Sequence, residues 1–260
     1  MKVINILVLL ICGAVGCIGE SESIQPRILS LSAAATNILI RLGFPPAAID
    51  EYGKIAAGKT IPPVIGKGSA VSREKIVELN IDTAVLWYYQ IALAGELKQK
   101  GIRVETVAPP RLATYPDLIR QLGELTGKKA KAEQLCKEFS AALNKSASPG
   151  GKKLRVYFEL YADGKCVGKE SYIGDLLKVA GGESIVRKTG LVSQETIISK
   201  SPEVIFYIKD FGNTEAILRR PGIANTPAAR NRRIYPVSRR LIIEGIAPLK
   251  AIEYLKTCMR

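Results

Sequence analysis

An α/β fold of two lobes, each built on a mainly parallel sheet and joined to the other by one long helix, is what this sequence predicts. Three observations carry that expectation. Strand-like apolar runs alternate with helical segments from residue 26 onward, a long helical pattern fills the middle of the chain, and a phrase from the first half returns in the second. Alternation of this kind implies parallel strands in Rossmann-like lobes, because a helix must carry the chain back across the sheet between one strand and the next.

Taken in order, residues 27–31 form an apolar run that reads as the first strand. Residues 33–42 keep helical spacing and are stopped by Gly43 and the pair Pro45-Pro46. Ser72 can cap a helix running to about Leu79, with Glu74 in its first turn, where a carboxylate suits the helix dipole. Residues 83–87 read as a strand, 91–100 as a helix closed by Gly101, and 102–107 as another strand. From Thr114 to about Leu143 the pattern stays helical, with Leu118, Leu122, Leu125, Ala132, Leu135 and Phe139 near one face and only Gly123 and Gly127 interrupting. That predicts one bridging helix. It gives out in a Ser/Pro/Gly loop at 146–151, and residues 154–160 open a second α/β region. The lobes are thus expected at 26–112 and 148–260, with the bridge at 113–147.

The two regions look related. Ser72-Arg-Glu74-Lys-Ile76 leads into Asp82-Thr-Ala84-Val85-Leu86, and Ser193-Gln-Glu195-Thr-Ile197 leads into Glu203-Val-Ile205-Phe206-Tyr207, at a constant offset of 121 residues (72 to 193). Two similar lobes on one bridge leave a cleft between them, and such clefts are favoured ligand sites.

Composition bounds the chemistry. Hydrophobic residues make up 47% and charged residues 24%, enough apolar side chain for a packed core. The formal charge of +14 suggests an anionic partner or surface. The chain has no His, which removes a His general base, a Ser-His-Asp triad, an HExxH zinc site and a His axial ligand. Lys2, the apolar run 3–15 and Ala14-Val15-Gly16-Cys17 have the layout of a secretory signal ending in a lipobox. Residues 1–17 are therefore expected to be a lipoprotein signal, Cys17 the lipidated residue and 18–25 a short tether. The match is imperfect, since Ala14, three residues before Cys17, stands where Leu is usual, and a plain cleaved signal stays open. Cys136, Cys166 and Cys258 remain, an odd number without metal-ligand spacing, and no metal site or cofactor is implied.

Arg27-Ile-Leu-Ser30-Leu-Ser32-Ala-Ala-Ala-Thr36-Asn37-Ile-Leu, then Ile49-Asp-Glu-Tyr52, then Ser72-x-Glu74-x-Ile76, resembles the ferric-siderophore and cobalamin binding proteins of ABC importers. So does Ser171-Tyr-Ile-Gly-Asp175-Leu-Leu-x-x-Ala-Gly181-Gly182 with Ser201-Pro202-Glu203-Val204-Ile205. The resemblance covers about residues 26–256. It implies two α/β lobes on a rigid backbone helix and one chelate or corrinoid in the cleft. It also implies docking to a permease with its ATPase through one surface Glu on each lobe, and a monomer outside the cytoplasm. By this resemblance the first-lobe docking position is Asn37, with Glu51 as a substitute acid, and the second-lobe position is Glu244.

Ligand contacts are expected from the cluster Trp87-Tyr88-Tyr89, at the carboxyl end of a strand where open α/β sheets bind ligands. Aromatic faces there would stack on a planar macrocycle. Tyr52 and Tyr172 join them through the resemblance, and Ser69 through its turn in Gly66-Lys-Gly68-Ser69. Arg219, Arg220, Arg230, Arg232, Arg233, Arg239 and Arg240 form a dense basic stretch; a solvated face is the plain reading, and Arg239 and Arg240 are the two expected in the cleft. No nucleic-acid recognition module is visible. The expected function is solute capture without catalysis. A secreted enzyme with paired carboxylates, for which Asp50-Glu51 is the tempting pair, and a scaffold lipoprotein without ligand are the alternatives.

Overall fold

The computed structural model describes residues 25–147, 151–161, 163–245 and 247–260. The signal and Cys17 lie outside these residues. No helix among them is long and apolar enough to cross a membrane.

In the first lobe β1 (Ile28–Ser30) is followed by α1 (Ala33–Arg41), whose N-cap Ser32 accepts a hydrogen bond from the Ala35 N–H. Next come β2 (Ala48–Ile49), a 3-10 turn at Glu51–Gly53, α2 (Lys54–Ala57) and a small hairpin of β3 (Gly66–Lys67) and β4 (Ala70–Val71). Then α3 (Arg73–Glu78), β5 (Thr83–Trp87), α4 (Ile91–Gln99) and β6 (Arg103–Val107) complete it. The sheet has the order β2-β1-β5-β6 and is parallel throughout.

The expected bridge is helical but is not one helix. It consists of α5 (Tyr115–Leu125) and α6 (Lys129–Ser146). Gly127 takes a left-handed φ of 69°, and the Thr126 hydroxyl donates back to the Leu122 carbonyl at 2.7 Å, so the chain reverses there. The helices then pack antiparallel: Gly123 lies against Ala132, and the Cys136 thiol faces the Pro116 carbonyl at 3.4 Å. A hairpin buries the apolar stripes of both helices against each other and the lobes, which a single solvated rod could not do.

The second lobe contains β7 (Leu154–Glu159), β8 (Lys165–Cys166), α7 (Tyr172–Ala180), β9 (Gly182–Ser184), β10 (Gly190–Leu191) and α8 (Gln194–Ser199). It continues with β11 (Val204–Ile208), α9 (Thr214–Leu218), α10 (Pro227–Arg230), β12 (Ile234–Val237), α11 (Arg239–Ile242) and α12 (Pro248–Met259). Strands β9, β7, β11 and β12 run parallel, with β8 and β10 added antiparallel at one edge.

The internal repeat extends to the backbone. Ser72 and Ser193 each cap the helix that follows, accepting from the Lys75 and Thr196 N–H groups at 3.1 and 3.3 Å. Asn80 and Ser201 both take left-handed φ, 50° and 47°. The Arg27 N–H donates to the Asp82 carboxylate and the Arg155 N–H to Glu203, and both guanidinium groups reach back to the Leu79 and Lys200 carbonyls. The two lobes therefore lay down their central strands by the same hydrogen bonds.

Strand residues alternate between two faces. Ile28, Val85, Phe158, Val204 and Phe206 point into one apolar core that also takes in α1, α5, α6, α7 and α12, and so runs through both lobes. Their neighbours Leu29, Ala84 and Leu86, or Tyr157, Ile205 and Tyr207, face a separate outer core in each lobe.

Candidate ligand-binding site between the lobes

Because β7, β11 and β12 are parallel, their carboxyl ends share one edge, and Arg239 follows β12 after the single residue Ser238. The Arg239 guanidinium lies 6.0 Å from the ring centre of Tyr52, which follows β2 in the other lobe. The carboxyl edges of the two sheets thus face each other across a cavity of about 350 Å³. Its first-lobe wall comes from the ends of all four strands of that sheet: Ala33, Asp50 and Tyr52, Trp87 with Tyr89 and Gln90, and Pro109. Arg239, Ile243 and Glu244 close it from the second lobe.

The aromatic wall is ordered. Trp87 and Tyr89 lie nearly parallel, with ring centres 6.4 Å apart and an interplanar angle of 9°. Tyr88 meets Tyr89 edge-on at 5.5 Å but does not line the cavity; it is 57% exposed at the rim. Tyr52 carries Lys67 at 5.7 Å from its ring centre as well as Arg239, a cation–π arrangement that holds positive charge at one end of the cavity. Gln90 is buried; its side-chain carbonyl accepts from the Trp87 N–H at 2.8 Å and its amide donates to the Ser69 hydroxyl at 3.1 Å. That pair of bonds fixes both Trp87 and Ser69.

Two carboxyl groups stand in the same cavity. Asp50 is buried and accepts from the Gly53 and Gly68 N–H groups at 2.9 and 3.1 Å, which ties the β3–β4 hairpin to the site. Burial raises its pKa, and those N–H donors hold part of the rise back. Burial also raises the pKa of Glu244, which has no partner charge among the described residues. The Tyr89 hydroxyl is raised too, by burial first and then by the nearby Asp50 and Glu244. It stays protonated at neutral pH and can donate.

Of the residues expected to meet ligand, Tyr52, Ser69, Trp87, Tyr89 and Arg239 come together here. Tyr172 does not. It opens α7 with its ring in the shared core, 4% exposed, because the first turn of that helix packs inward against the bridge. Arg240 also points elsewhere, into a second cavity with Asn37. Glu244 was expected on an outer docking surface, but the chain turns through Gly245 (φ 75°), whose carbonyl accepts from the Tyr115 hydroxyl at 2.7 Å, and this sets Glu244 inside the ligand cavity. Glu51 is exposed beside Lys54, 2.8 Å away, and Asp50 and Glu51 do not form a facing carboxylate pair. Gln90 and Ile243 were not expected, and Asp50 was considered only as half of a catalytic pair with Glu51, not as a ligand contact. Asp50 had a signal, a carboxylate immediately after a strand; Gln90 and Ile243 had none.

The basic stretch is dispersed rather than a single face. Arg220 is half-buried and paired with Glu159 and Asp163, Arg233 donates to the Met259 carbonyl at 2.7 Å, and Arg219 pairs with Glu215. Cys136 and Cys166 are buried free thiols, with burial pushing Cys166 up to about 11, and Cys258 is half-buried and free. No group of acidic, Cys or His side chains that could hold a metal occurs among the described residues.

A model of the periplasmic binding protein family matches residues 28–240. The vitamin B12-binding protein of Salmonella typhimurium is 27% identical over 191 residues, 69% of this chain and 71% of the relative. The high-affinity heme uptake system protein IsdE of Staphylococcus aureus is 26% identical over 232 residues, 84% of this chain and 75% of the relative. Among solved structures, the periplasmic heme-binding protein RhuT of Roseiflexus sp. RS-1 superposes with a TM-score of 0.78 at 21% identity, covering 91% of this chain and all of that one (100%). The vitamin B12 binding protein BtuF of Vibrio cholerae gives 0.73 at 19% identity, covering 90% and 96%. The chain belongs to the periplasmic binding protein family, a class of extracytoplasmic substrate-binding proteins, as its motifs suggested.

Proposed function

We propose that this protein captures a haem- or corrinoid-type macrocycle in the cavity between its lobes and delivers it to an ABC permease. The observation that carries this reading is the near-parallel pair Trp87–Tyr89 facing Tyr52 and Arg239 across the cavity: flat apolar faces with a cation at one end suit a flat ring system bearing acidic or amide edges. The names of the relatives point to the same two ligand types. A cavity of about 350 Å³ admits one edge of such a ring, leaving the rest to the exposed aromatics that follow the strands, Tyr88, Tyr161 and Phe211. The chain has no His, and the cavity lining offers Tyr and carboxyl oxygens, from Tyr52, Tyr89, Asp50 and Glu244, as donors to a ligand's metal.

Titrating purified protein with haemin, cyanocobalamin and a ferric catecholate siderophore, followed by absorption spectroscopy and calorimetry, tests this. Binding of haemin or cyanocobalamin at about micromolar Kd, weakened tenfold or more by Trp87→Ala, supports it. Binding of the siderophore alone would assign the cavity to a different chelate.

For docking, the repeat supplies a matched pair in place of Asn37 and Glu244. Glu74 and Glu195 occupy the same position in the first turns of α3 and α8, and both are exposed. We infer that these acids meet the permease, one per lobe. Glu74→Ala with Glu195→Ala should leave ligand Kd unchanged and lower uptake in reconstituted vesicles by about tenfold or more, because interface charge pairs that lose water cost about 2–5 kcal/mol when truncated. Unchanged uptake would remove them from the interface. Anchoring through a lipid on Cys17 belongs to the same reading: Cys17→Ser should move the protein from the membrane pellet to the soluble fraction. A secreted, cleaved Cys17→Ser protein that still pellets after a salt wash would exclude the lipid anchor.

A further inference from the structure

Against the ligand cavity lies a second, larger one of about 680 Å³, walled by α1, α6, α11 and α12 and so by both lobes and the bridge. Its floor is apolar, with Phe139 and Ala142 from α6 and Leu241 from α11. Arg41, Arg240 and Lys250, all exposed, line its walls from three different helices, and none of them enters an ion pair among the described residues. Glu138 is the single acid facing them. The Asn37 carbonyl oxygen is buried in the same wall and accepts no hydrogen bond among the described residues.

The two cavities share their partition. In α11 and the turn after it, Arg239, Ile243 and Glu244 face the ligand cavity while Arg240 and Leu241 face the second one. In α1, Ala33 faces the first and Asn37 and Arg41 the second. A molecule filling the second cavity therefore touches the helices that set Arg239 and Glu244. Three cations without ion-pair partners on the rim of an apolar floor select for an anionic head on an apolar body, since an inorganic ion would leave the floor unmatched and a neutral molecule would leave the cations unmatched.

We propose that this cavity binds an amphiphilic organic anion, a phosphate or carboxylate on an apolar body, and that its occupancy changes affinity in the interlobe cavity through α11. Coupling of this kind is reciprocal.

Octyl phosphate is the probe, titrated calorimetrically into the purified protein with the interlobe cavity empty, so the binding result does not depend on which macrocycle that cavity takes. The expected Kd is below about 1 mM. It should weaken by about tenfold in Arg41→Ala/Arg240→Ala, equivalent to about 1.4 kcal/mol. Ala142→Trp, which fills the floor and leaves every charge in place, should weaken it similarly, and Trp87→Ala should leave it unchanged. Affinity in the double variant or in Ala142→Trp unchanged from that of the unaltered protein, loss in Trp87→Ala, or no binding to the unaltered protein each overturns the site. Vesicles containing phosphatidic acid tell a lipid source from a free one: capture of the unaltered protein but not the double variant assigns a membrane lipid, and binding of octyl phosphate without capture assigns a soluble anion. Saturating octyl phosphate should also shift haemin Kd by about threefold or more in the unaltered protein and not in Arg41→Ala/Arg240→Ala. An identical haemin Kd with and without it overturns the coupling.

Discussion

Glu159 ends β7 with its carboxylate 4% exposed, and the Arg220 guanidinium binds both of its oxygens while the Tyr157 hydroxyl donates to one. The bond to Glu159 raises the Arg220 pKa. Arg220→Ala leaves a buried carboxylate without its counter-charge, so it should cost about 3–5 kcal/mol of stability in urea unfolding. Glu159→Leu/Arg220→Leu, which removes both charges, should recover much of that; equal losses in the single and double variants would show that the pair is not what holds this corner. Glu244 has the opposite electrostatics. Burial holds its carboxyl above the ordinary range, so the native state binds that proton more tightly than the unfolded chain. Its contribution to stability is therefore largest at low pH and falls as pH rises past the unfolded value toward the raised native one. Glu244→Gln should flatten the decline of Tm as pH rises above the ordinary glutamate pKa and raise stability on the high-pH side of the shifted native one. Because Glu244 lines the cavity, the same variant should change haemin or cyanocobalamin Kd, where an outer docking residue would leave it untouched.

At the scale of elements, the bridge depends on a close approach that only small residues allow. A Cβ placed on Gly123 would collide with the Cβ of Ala132 across the α5–α6 contact. Gly123→Ala should destabilise the protein by about 1–3 kcal/mol despite its better helix propensity, and Gly123→Ala/Ala132→Gly should regain part of the loss. Additive losses in the double variant would mean that the helices do not meet there. The helical character of this stretch was readable from its apolar spacing. The reversal at Gly127 was not, because a lone Gly in a helical pattern is equally compatible with a continuous helix. The capped helices α3 and α8 were readable for a local reason: Ser72 and Ser193 satisfy N–H groups three residues away, a contact written entirely in short-range sequence.

For the whole molecule, the core running through both lobes resists hinge bending. β1, β5, β7 and β11 all send side chains into it, α5 and α6 pass between them, and Tyr115 ties α5 to Gly245 of the second lobe. Small-angle scattering with and without saturating haemin or cyanocobalamin should nearly superimpose, and a clear compaction on binding would show that the hairpin flexes.

The alternation of strands and helices, the repeat and the aromatic cluster at Trp87–Tyr89 were all determined by the sequence alone. Each is set by residues close to one another in the chain: an apolar period, a cap, a breaker, a strand end. The tertiary structure alone decided which side of the molecule the loop after β12 presents. Arg239 and Arg240 are adjacent and chemically identical, yet one faces Tyr52 across the ligand cavity and the other faces Asn37 in the second. Glu244 joins the first because Gly245 turns the chain under the Tyr115 hydroxyl, 130 residues away. Orientation at such a place is chosen by packing against distant elements, and one residue's difference in direction along a short helix is invisible to any local pattern.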